Sequence, residues 1–480
     1  MVIKRLIAPR IDFSALRREL ELPTQFSPAA QEEADRIVTS GPALPPADRT
    51  DVDFVTIDPP TSMDLDQAMC LQRREGGGFR VWYAIADVST FVSPGGPLEG
   101  DTWKRGQTVY LPDGKVPLHP LNLSEGAASL LPGHDRPSVL WTIDLDADGA
   151  TTAVRVERAV VRSRAKLDYP SVAARAARGT IDEPIALLPE IGKLLLDRGL
   201  ARGAIDLPIP AQEVEPVDGG WALDFVAPSA IETYNAQISL LTGAAAAQIM
   251  LVGRVGLLRT MPPPDPHAIA RLRVAAASLG IVWPDGATAG RVIDAVDGSS
   301  PRGTAFLGHA AELLRGAAYT AFDGAVPEQA GHGGVAAPYA HVTAPLRRLA
   351  DRYASEVCLA LHAGAEVPEW ARSALADLPR VMASTGHVAS AAERGAVDLA
   401  EAVLLEGSVG ERFEAAVLDV DPARSGSSGA PHTPRGTIAI DRPAVRARCE
   451  GDGMVPGERI GVRLAEADPV RRRVTFTTAE

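Results

Sequence analysis

The spacing of apolar residues changes twice along this 480-residue chain, and these changes constrain its fold more than any other feature. From Asp51 to about Lys166, apolar and polar residues alternate in runs rich in β-branched and aromatic side chains, which is typical of strands. From Ser171 to His362, the chain is rich in Ala and Leu at helical spacing. Strands followed by helices predict an α+β body of mixed strands and helices.

Beyond Leu405, five short strand-like runs are separated by Gly, Pro and polar turns. Five strands are expected of an OB-fold β-barrel. We therefore predict a short N-terminal helical segment and linker at 1–50, the α+β body at 51–400 and a C-terminal barrel at 405–480. A low-complexity stretch at 421–434 is predicted to be a loop of the barrel.

The apolar stretches do not resemble a signal peptide or a membrane span. The N-terminus has no apolar run long enough for a signal-peptide core. The most apolar stretch, 240–258, is interrupted by Gln248 and Arg254, and we expect it to be a buried helix. We therefore expect a soluble protein that has no membrane partner.

Three cysteines, Cys70, Cys358 and Cys449, are far apart along the chain and odd in number. This pattern predicts free thiols in a reducing compartment and argues against a zinc ribbon. We therefore expect the protein to be cytoplasmic.

The net charge of −13 argues against a protein that coats nucleic acid, because binding to phosphates normally requires a positive field. A nucleic-acid-binding function would require the positive charge to be concentrated in a channel and the acidic excess to lie elsewhere.

A cluster of three aspartates, Asp58, Asp64 and Asp66, directly follows an alternating strand that Pro59 and Pro60 terminate. Carboxylates this close repel one another unless cations lie among them. Mg²⁺ prefers oxygen ligands, and two such ions can stabilise both the attacking and the leaving oxygens of a phosphodiester. The alternative is an acidic surface turn, since Asp is common in turns.

A second motif, YAHVTAPLRRLADRYASEVCLAL, begins at Tyr339. Pro345 is predicted to start a helix, which places Arg347 and Arg348 in its first turn. Free amide groups and arginine side chains at a helix N-terminus suit a phosphate. The alternative is that arginines here form surface ion pairs: Arg348 with Asp351, or Arg352 with Glu356.

Four basic residues alternate along the predicted strand VRVERAVVRSRAKLDYP and so share one face: Arg158, Arg162, Arg164 and Lys166. They form either a solvated strand face or a track for RNA. None of the nine histidines belongs to a zinc signature.

The aspartate cluster resembles the signature of the RNase II (RNB) family, in which an Asp and five further residues precede Asp-x-Asp-Asp. The similarity continues through an Ile-Ala-Asp-Val-Ser run at 85–89, an Arg-Gly-x-x-Val-Tyr-Leu-Pro run at 105–112 and a Leu-Ser to Leu-x-Pro run at 123–132. The order of elements is similar from residue 51 to residue 394, which is more specific than any single motif.

The second motif resembles the family's Tyr-x-His-Phe-Thr-Ser-Pro-Ile-Arg-Arg-Tyr-x-Asp, with substitutions at Val342, Ala344, Leu346 and Leu349. The resemblance implies that Asp58, Asp64 and Asp66 bind metal and that Asp66 and Arg347 act in catalysis. It also implies that Tyr169 stacks on a base near the 3′ end. Further RNA contacts are expected from four basic residues: Arg162, Arg164, Lys166 and Arg348.

The chain departs from the family pattern at Gln67, which replaces the fourth aspartate, and at Ala84, where the family usually has a His. A neutral amide at position 67 cannot balance the charge of a cation as a carboxylate does. Glu232, His341 and Glu393 match family positions whose roles stay open.

The resemblance implies an RNB catalytic domain followed by an S1-like OB-fold barrel. The expected activity is processive 3′-to-5′ hydrolysis of single-stranded RNA to 5′-mononucleotides, with Mg²⁺ or Mn²⁺, by a monomer. Because the similarity begins near Asp51, we expect a short form without the two N-terminal cold-shock barrels. The alternatives are an inactive RNB-fold RNA-binding protein, because of Gln67, and a phosphodiesterase acting on DNA or small nucleotides.

Overall fold

The computed structural model describes residues 6–421 and 433–479. Before the first strand it contains two helices, α1 (Ser14–Glu19) and α2 (Pro28–Ser40), where the sequence predicted one helical pattern. The second helix begins at Pro28 because the Ser27 hydroxyl accepts a hydrogen bond from the Ala30 amide, and proline is favourable at a first helical position.

The predicted strand-rich region forms a closed five-stranded barrel. Its elements are β1 (Phe54–Asp58), β2 (Gln67–Arg73), β3 (Phe79–Ala86), α3 (Pro97–Arg105), β4 (Val109–Leu111), β5 (Gly114–Val116), β6 (Asp135–Leu145) and β7 (Thr151–Asp168). Strands β1, β2, β3, β6 and β7 pair in that order, and β7 closes the barrel by pairing with β1. The short strands β4 and β5 form a separate hairpin. We call the closed sheet the first barrel.

Two features of the first barrel position the candidate site. The turn at Gly149 has a φ of 77°, and it joins β6 to β7 in a hairpin. Strand β1 is parallel to β7, so Asp58 lies opposite Asp168. Tyr169, the next residue along the chain, therefore comes close to the end of β1.

The middle of the chain is helix-rich, as predicted, but it also contains short paired strands. Its elements are α4 (Tyr169–Ala177), α5 (Leu188–Arg202), β8 (Ala211–Val217), β9 (Gly220–Val226), α6 (Ala230–Gly253), β10 (Val255–Thr260), α7 (Pro266–Leu279), α8 (Ala289–Asp294), α9 (Pro301–Ala310), β11 (Ala318–Asp323), β12 (Gly331–His332), β13 (Ala337–Pro338), α10 (Leu349–His362), α11 (Glu369–Ala374) and α12 (Leu378–Leu405).

The apolar stretch 240–258 is only partly helical, which corrects the prediction of a single buried helix. Helix α6 ends at Gly253, Arg254 adopts a left-handed conformation, and the chain continues as strand β10. By length and composition alone α6 could cross a membrane, but the core helices of soluble proteins often pass the same test. Several α6 residues, including Ile238, Ala246 and Met250, are completely buried in the core.

The C-terminal region forms a second closed barrel of five strands, as predicted. Its strands are β14 (Arg412–Val420), β15 (Arg435–Ile440), β16 (Val445–Glu450), β17 (Arg459–Asp468) and β18 (Arg473–Thr478). Of the predicted loop at 421–434, residues 422–432 lie outside the described residues. Ala402 and Leu405 at the end of α12 contribute to the core of this second barrel.

The three cysteines are buried and free, which confirms the prediction of free thiols. Cys70 lies on β2, Cys358 on α10 and Cys449 on β16.

Candidate active site

The aspartate motif lies where β1 ends and β2 begins. Asp58 is the last residue of β1, because Pro59 and Pro60 cannot donate the hydrogen bonds that a central strand needs. Asp66 precedes Gln67, the first residue of β2, and the Asp66 side chain is 3% exposed. The strand termini therefore bring carboxylates from both strands into one region of the first barrel.

Burial makes the negative charge on two of these carboxylates costly. It raises the pKa of Asp66 to about 8, an effect opposed by the nearby Arg347 and by the hydrogen bond from the Leu346 amide. Burial, together with the neighbouring charge of Asp64, raises the pKa of Asp58 to about 6. Both side chains therefore favour a nearby cation, which would stabilise their charged forms.

Asp64 has partners on the protein for both of its oxygens. Its Oδ1 atom lies 2.9 Å from the Lys115 ammonium, and its Oδ2 atom accepts a 3.2 Å hydrogen bond from the Tyr110 hydroxyl. Tyr110 and Lys115 face each other across the β4–β5 hairpin, so both side chains project to the same side. The sequence analysis missed these two residues, although they lie in and just after the Arg-Gly-x-x-Val-Tyr-Leu-Pro run.

The segment that carries Arg347 is an irregular turn that precedes α10, and not the first turn of that helix as predicted. Helix α10 begins at Leu349. The Asp351 carboxylate accepts hydrogen bonds from the Ala344 amide at 2.7 Å and from the Arg348 side chain. These bonds fold residues 344–348 back over the start of the helix. They outweigh the preference of Pro345 for the first position of a helix.

Three further contacts fix this turn against the first barrel. The Leu346 amide donates to Asp66 Oδ1 at 2.8 Å, and the Thr108 amide donates to the Arg347 carbonyl at 3.0 Å. His119 is buried and its Nε2 atom lies 3.2 Å from the Pro345 carbonyl; burial lowers the pKa of His119 to about 3. The imidazole is therefore neutral and acts as a structural support that sequence reasoning missed.

A glycine in α6 allows the chain before this turn to approach closely. A Cβ atom at Gly243 would lie 2.1 Å from the Tyr339 ring and 2.5 Å from the Ala340 carbonyl oxygen. The Ala340 amide donates to the Gly243 carbonyl at 3.1 Å. Only glycine at position 243 permits this contact, which sets the distance between α6 and the turn.

Arg347 is the exposed cation of the turn. Its Nε atom lies 3.5 Å from Asp66 Oδ2, and its side chain is 44% exposed. A guanidinium in this position can remain near Asp66 and still reach an anionic group in solvent.

Arg348 forms the ion pair that was considered as the alternative to a phosphate contact. Its Nε and Nη2 atoms bond the two Asp351 oxygens at 3.0 and 2.9 Å, which confirms that pairing. The second pairing considered, Arg352 with Glu356, is wrong. Arg352 bonds Glu99, and Glu356 bonds Arg158.

A cavity of about 630 Å³ opens beside the turn. Its walls include Gln67, Tyr169, Arg347 and Arg348, four of the residues that the sequence analysis singled out. The three aspartates do not line the cavity, and Asp66 lies behind Arg347. Asn235 donates a 2.9 Å hydrogen bond to the Tyr169 hydroxyl and so holds this ring at the cavity wall.

The remaining basic residues of β7 are engaged in contacts away from the cavity wall. Arg162 pairs with Asp135 at 2.6 Å, and Arg164 pairs with Asp53 at 3.0 Å. The register between β1 and β7 shifts at Arg164, which interrupts the predicted alternation. Lys166 donates to the Pro60 carbonyl at 2.7 Å and lowers the pKa of Asp58. Only Lys166 of this group acts on the aspartates.

Four further positions were noted in the comparison with the family pattern. None of their contacts indicates a part in the chemistry. Glu232 forms a capping box with Ser229 at the start of α6. His341 Nδ1 lies 2.6 Å from the Tyr319 hydroxyl. Glu393 is exposed on α12, and Ala84 is buried opposite Ala68.

Gln67 joins the two halves of the site. Its side-chain amide donates to the Thr343 carbonyl, which connects the start of β2 to the segment that carries Arg347. The amide nitrogen is thus committed to the protein, which a carboxylate at this position could not achieve because it has no donor.

The carboxylates fit a divalent cation held by few protein ligands. Within 6–421 and 433–479, no group of three or more Asp, Glu, His or Cys residues is arranged to hold a metal ion. Mg²⁺ commonly binds through one or two carboxylates and completes its coordination with water and substrate phosphate. The carboxylate oxygens of the half-buried Asp58 and the buried Asp66 are suitable donors for such an ion.

Comparison with known proteins agrees with this geometry. The RNB domain model matches residues 47–361, and the model of the RNase II-type exonuclease C-terminal S1 domain matches residues 411–479. Ribonuclease R of Aquifex aeolicus (strain VF5) is 26% identical, and the match covers 100% of this chain and 72% of that protein. Ribonuclease R of Escherichia coli (strain K12) is 28% identical, and the match covers 70% of this chain and 43% of that protein.

Among solved structures, Mycoplasma genitalium RNase R has the same fold at 19% identity. Its apo form and its complex with ribose methylated single-stranded RNA both give a TM-score of 0.83, and each match covers 98% of this chain and 78% of that chain. The α+β body followed by a five-stranded barrel is therefore an architecture that occurs in other proteins, and the predicted fold class is confirmed.

Proposed function

Because the chain belongs to the RNB family, we propose that it is a metal-dependent exoribonuclease that degrades single-stranded RNA processively from the 3′ end to 5′-mononucleotides. The family resemblance predicted from the sequence is confirmed by the match over residues 47–361. Relatives named Ribonuclease R, and an RNase R solved with single-stranded RNA, support the activity and the substrate.

One observation carries the proposal most directly. Arg347 projects from a fixed turn into a cavity, 3.5 Å from the buried Asp66, and Tyr169 stands on the wall of the same cavity. This arrangement places a cation for a phosphate and an aromatic ring for a base around one space, and a carboxylate for a metal ion lies next to the cation.

Each residue of the site has a separate role in binding or in catalysis. Tyr169 stacks on a base near the 3′ end, and its hydrogen bond from Asn235 keeps the ring in place. Arg347 neutralises the non-bridging oxygens of the scissile phosphate as negative charge develops on them. The hydrogen bonds of Asp351 and Asp66 to the turn hold Arg347 in position before substrate binds.

Asp58 and Asp66 would hold the divalent cation, with Mg²⁺ as the expected ion and Mn²⁺ as a substitute. A bound Mg²⁺ supplies Lewis acidity towards the phosphate and lowers the pKa of a coordinated water. The two carboxylates with raised pKa values gain most from such an ion, because its charge stabilises their ionised forms.

The second barrel serves as an RNA-binding domain that guides the strand towards the cavity. Its match to the C-terminal S1 domain of RNase II-type exonucleases supports this role. The protein acts as a monomer in the cytoplasm. Its three free cysteines favour this reducing compartment.

A direct test uses 5′-labelled poly(A) with and without Mg²⁺. The expected result is Mg²⁺-dependent shortening of the label-bearing strand from its 3′ end, together with release of 5′-mononucleotides. Internal cleavage products of many lengths at the earliest time points would contradict an exonuclease. If RNA binds but no Mg²⁺ or Mn²⁺ concentration yields mononucleotides, the chain is an RNA-binding protein that has lost hydrolysis at Gln67.

A further inference from the structure

Two arginines on helix α5 line the cavity that Tyr169 and Arg347 also line. They are Arg198 and Arg202, four residues apart near the C-terminal end of the helix, so both lie on the same face. Neither forms an ion pair within the part of the chain that the structure describes. We call these two residues the arginine pair.

The acidic residues of α5 are engaged elsewhere. Glu190 pairs with Arg73 at 2.5 Å, and Asp197 pairs with Lys193 at 2.9 Å. Helix α5 has no other acidic residue. Its own carboxylates therefore do not offset the charge of the arginine pair.

The arginine pair has an electrostatic cost in the free protein. Like charges at a spacing of four residues repel each other and destabilise a helix. Partial burial of its guanidinium, together with the charge of Arg198, lowers the pKa of Arg202, and no carboxylate opposes this effect. An anion bound between the two guanidinium groups would remove this cost.

The macrodipole of α5 accounts for only one member of the pair. A basic residue in the last turn of a helix is favourable because it faces the negative end of the dipole. Arg202 lies in that turn, but Arg198 lies before it. The presence of Arg198 on the same face therefore calls for a second explanation.

The other charged side chains of the cavity wall have partners. They are Arg347, Arg348, Asp206 and Glu232. Asp66 lies beside Arg347, and Asp351 bonds Arg348. The Glu232 carboxylate accepts a hydrogen bond from the Ser229 amide, and burial raises the pKa of Asp206. Among the cations that line the cavity, only the arginine pair lacks a carboxylate partner in the described residues.

The end of α5 is fixed against two neighbouring elements. A Cβ atom at Gly149 would lie 3.4 Å from the Arg198 Cδ atom, so this side chain packs against the turn between β6 and β7. Just beyond the helix, the Ile205 amide donates to the Gly334 carbonyl at 2.9 Å. This bond ties the chain to the segment between β12 and β13. The arginine pair therefore has a defined place on the cavity wall.

The cavity is elongated along the first barrel. Thr151 and Gln67 both line it. The pairing of β6 with β3 and β7 places Thr151 level with Phe79, whereas Gln67 pairs with Ile85. Phe79 and Ile85 lie near opposite ends of β3, which are about 20 Å apart at the rise of a strand. The cavity thus extends along most of the length of β3.

The arginine pair and Arg347 lie towards opposite ends of this cavity. Arg198 packs against Gly149, two residues before Thr151. Arg347 lies close to the other end, because Gln67 bonds the Thr343 carbonyl in the same segment. A phosphate bound to the arginine pair would therefore be a different one from the phosphate at Arg347.

We propose that Arg198 and Arg202 form a second phosphate-binding site of the cavity, which holds the backbone of single-stranded RNA several nucleotides upstream of the cleaved bond. This inference rests on the proposed function, because it assigns a further contact to the same substrate. Guanidinium groups bind phosphate oxygens in a bidentate manner, which suits this role. The two arginines bind the strand and do not contact the reacting atoms.

The test measures RNA binding without divalent cations, so that binding is observed separately from hydrolysis. Fluorescence anisotropy gives the Kd for labelled poly(A) over a range of salt concentrations. For the double variant Arg198→Gln and Arg202→Gln, we expect Kd to rise by about ten-fold at moderate salt. The dependence of log Kd on log salt concentration should decrease by about 1.4, since each phosphate contact contributes about 0.7 for single strands.

Two further variants show whether charge at this place is responsible. The double variant Arg198→Lys and Arg202→Lys keeps both charges and should keep the original salt dependence. The matched control is Arg36→Gln with Arg178→Gln, because both residues are exposed and neither lines the cavity. An unchanged salt dependence in the first double variant, or an equal decrease in the control, would overturn the proposal.

Two more measurements distinguish a phosphate site from a structural role. A dinucleotide is too short to span the cavity, so its Kd should be the same for the unmodified chain and for Arg198→Gln with Arg202→Gln. Urea unfolding reports the stability of α5. Reduced stability with an unchanged salt dependence would assign the arginine pair to the helix dipole and contradict the proposal.

Parallel assays of poly(A) hydrolysis with Mg²⁺ separate this inference from the proposed function. RNA binding that depends on the arginine pair, without release of mononucleotides, would contradict the proposed function and support the second phosphate site. Hydrolysis by the unmodified chain, with unchanged binding in the glutamine double variant, would contradict the second phosphate site and support the proposed function.

Discussion

The molecule contains two closed barrels of five strands that differ in what they bury. The first barrel and the loops at its strand ends enclose charged side chains, including Asp66, Asp87 and Asp144. In the described part of the second barrel, the buried side chains are apolar, and its arginines lie on the outer face. Two barrels with the same number of strands therefore bury different kinds of side chain.

This difference has an energetic consequence. An ionised carboxylate loses its hydration when it is buried, and this cost must be offset by partners. In the first barrel the partners are arginines and backbone amides, and a cation beside Asp58 and Asp66 would add to them. The second barrel avoids the cost by closing on residues such as Val417, Ile438 and Phe476. The comparison predicts chemistry in the first barrel and ligand binding on the surface of the second.

The largest expected effect is that of Asp66→Asn. Asparagine retains an oxygen that can accept the hydrogen bond from the Leu346 amide, but it removes the charge that would hold the proposed metal ion. We expect kcat for single-stranded RNA to fall at least about a thousand-fold, with RNA affinity little changed. Single-turnover hydrolysis and equilibrium binding measure the two quantities separately.

The control for Asp66→Asn is Asp197→Asn, at an exposed carboxylate paired with Lys193 on α5. This control should retain full activity. Undiminished turnover in Asp66→Asn would show that the buried charge of the first barrel does not serve catalysis, and the contrast between the barrels would lose its functional meaning.

Arg347→Ala should have the next largest effect. The guanidinium interacts with charge that develops in the transition state, so kcat should fall by about a hundred- to a thousand-fold while KM changes little. Arg372→Ala is a matched control, because Arg372 is 48% exposed and also pairs with an aspartate, Asp323. A change in KM alone for Arg347→Ala would assign this residue to strand binding.

A smaller effect is expected at Glu401, which joins α12 to the second barrel. Its carboxylate is 5% exposed and accepts hydrogen bonds from the Gln212 side chain and the Arg446 amide, and burial raises its pKa to about 7. The protonated form is favoured in the folded state. Stability contributed by this group is therefore fully present below pH 4.5 and is lost as the pH rises to about 7.

Glu401→Gln removes this titration and keeps an oxygen that accepts both hydrogen bonds. At pH 8 we expect the variant to be more stable than the unmodified chain by about 2 kcal/mol, and at pH 4 the difference should vanish. Urea unfolding at the two pH values measures this change. If the difference in unfolding free energy is the same at both pH values, ionisation of Glu401 does not destabilise the contact between α12 and the second barrel.

The sequence predicted the strands of the first barrel and the whole of the second barrel, because the alternation that defines a strand and the turns between strands are local signals. It did not predict that the first set of strands closes into a barrel. It also predicted the region of the site, since the aspartates and Arg347 lie in recognisable motifs. It did not predict that α10 begins at Leu349, because the hydrogen bonds that Asp351 accepts from the Ala344 amide and from Arg348 outweigh the preference of Pro345 for a first helical position.

The contact of Lys115 with Asp64 could not be predicted from the sequence either, and here the reason is different. Tyr110 and Lys115 are five residues apart, and only the register of the β4–β5 hairpin places them opposite each other. Their contact with Asp64 depends in addition on how this hairpin packs against the first barrel. Contacts of this kind depend on tertiary packing, which leaves no local signature.

The smallest expected effect concerns the outer face of the second barrel. Arg435, Arg448 and Arg473 lie on the neighbouring strands β15, β16 and β18, and their positions in the register place all three outside the barrel. Each is more than half exposed and pairs with an acidic residue: Glu450, Asp421 and Glu466 respectively. These arginines can exchange their partners for RNA phosphates at low energetic cost, because exposed ion pairs contribute little.

The triple variant Arg435→Gln, Arg448→Gln and Arg473→Gln should therefore weaken binding to long single-stranded RNA by about ten-fold at moderate salt. The dependence of log Kd on log salt concentration should decrease by about 2, since each phosphate contact contributes about 0.7 for single strands. Hydrolysis of short oligonucleotides that reach only the first barrel should be unchanged. A control variant with glutamine at Arg155, Arg372 and Arg380, which are ion-paired arginines of the body, should keep the original slope. If both triple variants change the slope equally, the RNA-binding surface is not confined to the second barrel, and the division of labour between the two barrels is incorrect.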